Sequence, residues 1–89
     1  MWRISWDYTE NKAIDVRSPD FKEGNALPFI FRLLDGDGEV YYRGHSDDND
    51  SEKAFDPLDD YGMPNAGCTE IQYRRADKNN PGKVIWETL

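Results

Sequence analysis

Carboxylates crowd into one stretch of this chain, GHSDDNDSEKAFDPLDDYG at residues 44–62, and several kinds of chemistry could use them. A calcium loop of the EF-hand type needs oxygen ligands at alternate positions, glycine at the sixth and glutamate at the twelfth. Counted from Asp35, the sixth residue is Val40; counted from Asp48, the sixth is Lys53 and the twelfth is Asp59. Neither register fits, and hairpin turn and solvated loop are the simpler readings. A calcium-binding β module built on the Asp-rich loops is kept as an alternative. A structural zinc site takes four Cys or His ligands, and His45 and Cys68 are the only two in the chain. Cys68 reads as a small buried apolar residue. No cofactor or metal is expected.

His45 and Ser46 beside several aspartates suggest hydrolysis, but adjacent side chains of an extended chain point to opposite faces. A pair of carboxylates working as acid and base needs burial to separate their pKa values, and this stretch is too polar to supply it. The reading is therefore a non-enzyme with no catalytic residues.

Binding remains. Residues 35–60 hold ten acids against Arg43 and Lys53, a charge of -8, while the rest of the chain carries +1. The net charge of -7 argues against direct nucleic-acid binding, which displaces counterions with Lys and Arg. It favours a basic protein surface. Asp47, Asp48, Asp50, Glu52, Asp59 and Asp60 are the candidate partner-binding acids, with Tyr61 and Tyr41 as anchoring rings. Asp35, Asp37 and Glu39 add to the field if their turn projects the same way. Duplex phosphates recur at about one charge per 1.7 Å of axis, so a rigid scaffold bearing such acids could occupy a nucleic-acid channel. A third reading is an assembly protein that oligomerises through an exposed edge strand at residues 83–89.

The strands that must carry these residues are visible in the alternation. Trp2, Ile4, Trp6 and Tyr8 alternate with polar residues, a period of two that predicts a strand. A turn at 9–12 and a second strand at 13–17 follow, stopped by Pro19. LPFIFRLL at 27–34 is apolar on both faces and predicts a central or covered strand. Asp35-Gly36-Asp37-Gly38 then turns it into EVYYR at 39–43. Residues 69–74 and 83–89, joined by DKNNPG, make a third hairpin. Trp2, Trp6, Phe29, Phe31 and Tyr73 read as core.

The expected fold is all-β: one domain over 1–89, about six strands in antiparallel hairpins, as a twisted sheet, small sandwich or partly open barrel. The acidic segment at 45–62 reads as a solvated loop at 45–53 followed by a pinned half at 54–62. Asp56-Pro57 is an N-terminal helix signal and Gly62 a stop, so one helical turn near 57–61 is predicted, with Phe55 and Leu58 facing the sheet. Pro64-Asn65-Ala66-Gly67 reads as a further turn. With a single cysteine, no signal-peptide pattern and no membrane-length apolar run, a cytoplasmic protein is expected.

The combination GEVYYRG…DPLDDYGMPNAGCTEIQYR, about half the chain, resembles small uncharacterised acidic proteins of phages and plasmids. By size and charge the chain is also similar to small acidic proteins that block CRISPR effectors or restriction enzymes. The resemblance implies an inhibitor of a nucleic-acid-processing complex carried by a mobile element. No functional motif comes with it.

Overall fold

The computed structural model describes residues 1–89 and is dominated by one antiparallel sheet. Its strands are β1 (Trp2–Asp7), β2 (Lys12–Arg17), β3 (Phe29–Leu34), β4 (Val40–Ser46), β5 (Glu70–Ala76) and β6 (Val84–Thr88). Their spatial order is β2-β1-β4-β3-β5-β6, an open sheet with β2 and β6 as edges. The three hairpins expected from the turns are all present, and β3, apolar on both faces, is interior. β6 is an edge strand, with Val84 and Ile85 exposed. No helix is long and apolar enough to cross a membrane.

One side of the sheet is covered by a bent helix, α1 (residues 52–66), where the sequence predicted a single turn. It begins as a 3₁₀ turn, Glu52–Phe55, passes through a π segment, Leu58–Gly62, and ends as an α turn, Met63–Ala66. The two prolines explain the mixture. Pro57 and Pro64 lack the N–H that would close an i→i−4 bond, so the ladder shortens before the first and widens before the second. The Asp56 N–H reaches the Lys53 carbonyl, and the Met63 N–H reaches back to Leu58. Ser51, not Asp56, caps the start, its hydroxyl accepting from the Lys53 N–H. The stop is Gly67, which takes the left-handed conformation (φ 69°, ψ 24°) that ends helices.

Ala54, Leu58, Tyr61 and Ala66 form the inward stripe of α1, packed with Cys68 on Trp2, Ile4, Phe31, Leu33, Tyr42, Ile71 and Tyr73. Phe55, expected to face the sheet, is exposed instead. Gly62, expected to end the helix, lies within it. A Cβ there would come within 2.8 Å of Leu33 Cδ1 and 3.2 Å of the Cys68 Cβ, so glycine permits the close approach of helix to sheet.

A bulge in β1 corrects the phase read from the alternation. Pairing shifts between Ile4 and Trp6, so Ile4 lies opposite Gly44 but Trp6 lies opposite Arg43. One extra residue reverses every later side chain. Asp7 therefore takes the core-side position, opposite Tyr42, and is buried. Trp6 lies half-buried on the uncovered side of the sheet. Asp7 is satisfied there by the Thr9 N–H at 2.8 Å and hydroxyl at 2.6 Å.

Candidate interaction surface

The segment expected to be a solvated loop is largely tied down. His45 and Ser46 belong to β4, and Ser46 is buried with its hydroxyl donating to the Asp48 carbonyl at 2.8 Å. The Arg75 Nη2 donates to the Asn49 carbonyl at 2.6 Å, holding the segment against β5. Asp48 is half-buried and accepts from the N–H groups of Asp50 (3.1 Å) and Ser51 (2.9 Å) and from the Ser51 hydroxyl. These bonds, that of the Ser51 hydroxyl foremost, hold the Asp48 carboxyl below its ordinary pKa. Asp48 is thus a turn-forming residue. Asp47 is exposed and pairs with the N-terminal amine at 2.8 Å.

Four of the predicted acids are free. Asp50 and Glu52 sit at the start of α1 and Asp59 and Asp60 in its middle, all exposed and none in an ion pair within α1 or with the sheet. Asp56 joins Asp59 and Asp60 at three- and four-residue spacing, which places the three on neighbouring turns. Its pKa is raised, by burial first and then by the charges of Asp60 and Asp59. The outer side of α1 is therefore a ridge of net negative charge on ordered backbone, with Lys53 its one cation.

The two tyrosines are engaged elsewhere. Tyr61 is half-buried, its ring edge-on to Tyr42 with centroids 5.2 Å apart. Tyr41 is half-buried on β4, where the neighbouring Asp35 carboxylate raises its pKa. Asp35 itself accepts from the N–H groups of Asp37 and Glu39 at 2.9 Å, closing the β3–β4 turn. Nowhere do three or more His, Cys, Asp or Glu side chains converge as a metal-binding group. Cys68 is buried, and burial pushes its thiol up to about 11.

The sequence reading missed the other side of the sheet. Cα pairing aligns Trp6 with Arg43, Arg32 and Gln72 in one row across the strands, and Arg17, Arg3, His45 and Ile30 in the next. Arg74, opposite Trp86, continues the second row. Five of the six arginines thus share the uncovered face, against the carboxylates of Asp15 and Glu70 and of Glu23, which reaches Arg17 at 3.1 Å from the β2–β3 connection. Asp15 pairs with Arg3 and Arg17, both at 3.0 Å. The Arg32 guanidinium lies 4.3 Å from the Trp86 ring centroid and donates to Gln72 at 2.7 Å. Arg43 and Arg74 make no ion pair. His45 is held below its ordinary pKa, by burial and then by Arg43, Arg3 and Arg74. A signal existed: the outward-phase positions of β1, β3, β4 and β5 each carry arginine, though no two of these are adjacent in sequence.

Compared with protein-family models, curated proteins and solved structures, the chain matches none.

Proposed function

We propose that this chain is a non-enzymatic interaction domain, working in the cytoplasm, whose acidic helical side engages a basic surface of another protein. In its most specific form the partner is a nucleic-acid-processing complex of CRISPR or restriction type, and the ridge inhibits it by standing in for phosphates. The observation that carries the reading is the row of Asp56, Asp59 and Asp60 on one side of α1, none of them in an ion pair, where Asp60 and Asp59 raise the Asp56 pKa by more than Lys53 and the amino terminus lower it. Like charges at such spacing weaken a helix by a few tenths of a kcal/mol per pair. A sheet-backed helix can hold them in fixed positions, where a cationic partner would gain from all of them together.

The test is a native-lysate pull-down with the wild type and with a variant neutralised at Asp50→Asn, Glu52→Gln, Asp59→Asn and Asp60→Asn. Basic nucleic-acid-processing proteins, eluted from the wild type by moderate salt and lost from the variant, are the expected result. The same proteins retained by the variant, or none retained by the wild type, would overturn it.

A further inference from the structure

The uncovered sheet face stands apart from the acidic ridge. Six strands at about 4.8 Å spacing give a row of roughly 24 Å across the sheet, and along it lie Arg17, Arg3, His45, Ile30, Arg74 and Trp86. A shallow cavity of about 230 Å³, lined by Arg3, His45, Phe21 and Glu23, adjoins the row where β1 meets β4. Half-buried Trp6 and Trp86 share the face with the guanidinium groups, and Trp86 is stacked by Arg32.

We infer that this arginine–tryptophan face is a second binding surface, and that its occupant is a single-stranded nucleic acid lying across the strands. Charge complementarity selects a polyanion, because Arg43 and Arg74 have no carboxylate of their own. Rings interleaved with the cations select an anion that also has flat bases, since stacking and phosphate contact together hold single strands. A duplex is a poor fit. Its major groove, about 12 Å wide, admits a helix or a two-stranded ribbon, not a six-stranded face. A row of this length matches the shortest single-strand sites, about four nucleotides.

The net charge of -7 does not oppose this locally. The molecule's shortest dimension is 26 Å, against a screening length of about 8 Å at physiological salt. The acids of α1 lie on the far side of the sheet, so a strand on the arginine face is screened from them. Their repulsion instead orients the incoming polyanion toward the face that lacks them.

The test is fluorescence anisotropy with fluorescein-labelled 20-mers of oligo-dT and oligo-U at 50 mM salt; preference between the two distinguishes DNA from RNA as the source. Binding is expected in the micromolar range and should weaken steeply by 200 mM salt. The double variant Arg43→Gln, Arg74→Gln should lose at least tenfold in affinity at an unchanged thermal midpoint, and the ridge variant should bind like the wild type. No binding of either oligomer, or full binding by the double variant, overturns the proposal. Poly-glutamate bound as tightly as the oligomers would assign the face to an acidic protein instead. Self-association in light scattering that the double variant abolishes would assign it to a second copy of the chain.

Discussion

The Tyr73 hydroxyl donates to the Ala54 carbonyl at 2.8 Å, joining the middle of β5 to the first turn of α1 across a fully buried interface. This bond fixes the start of the acidic ridge to the sheet. Burial pushes the phenol up to about 12, so the donor persists at all ordinary pH. Tyr73→Phe keeps the ring but strands a buried carbonyl. It should cost about 1–2 kcal/mol and lower Tm by roughly 5–10 °C in a domain of this size. A thermal melt indistinguishable from wild type would show that the helix is held by apolar contact alone.

Gly62→Ala tests the closeness of helix and sheet. The added methyl would press on the Leu33 side chain and on Cys68, both buried. Overpacking of this kind costs about 1–3 kcal/mol, outweighing the ~1 kcal/mol that alanine gains in helix propensity. Chemical denaturation should therefore show a net loss of stability, whereas a solvent-facing helix glycine would show a gain.

Asp48 makes acid stability measurable. Its folded-state pKa lies below the ordinary value of 3.8, so the stability it contributes is complete above that pH and is lost as pH falls through its folded pKa. Asp48→Ala, removing the acceptor for two backbone N–H groups and the Ser51 hydroxyl, should cost about 1 kcal/mol at neutral pH. Denaturant melts at pH 7 and pH 3 should show the difference between variant and wild type shrinking in acid. A constant difference would contradict the assigned role.

His45 acts in a higher pH window. It faces Arg3 from β1, Arg43 on its own strand and Arg74 from β5, with Ile30 beside it on β3 and Glu23 at the rim of the adjoining cavity. Its folded pKa is depressed below 6.5, so the unfolded chain takes up the proton first. Stability is then full above 6.5 and declines as pH falls from there toward the folded pKa. NMR titration should place the imidazole midpoint below 6.5, and Arg43→Gln should move it upward. A midpoint at or above 6.5 would mean that the arginines do not converge on it.

Most of the sheet was legible because its signals are local. Each hairpin is announced by its turn residues, and the two-faced apolarity of 27–34 correctly places β3 in the interior. The pairing of β1 with β4 has no such signal, and neither does the bulge that exchanges Trp6 for Asp7. The helix was hidden by its own chemistry. Its stripe is built from Ala54, Leu58, Tyr61 and Ala66 around Gly62, with prolines at 57 and 64, so hydrophobic period and propensity both run weak. The acids were legible as charge, but which of them are free was not. Asp48 is consumed by a turn and Asp47 by the amino terminus, facts fixed by hydrogen bonds and ion pairs rather than by composition. The arginine face was hidden by dispersal, one residue per strand brought together only by strand order.

The most direct test of the acidic ridge is the affinity of the salt-eluted partner for the variant carrying Asp50→Asn, Glu52→Gln, Asp59→Asn and Asp60→Asn, measured at low and moderate salt beside the wild type. These four side chains are exposed, so each substitution should change stability by no more than about 0.5 kcal/mol. The account predicts affinity at least tenfold weaker, about 1.4 kcal/mol, a flattened salt dependence, and a thermal midpoint equal to or above that of the wild type. Unchanged affinity with unchanged salt dependence would contradict it.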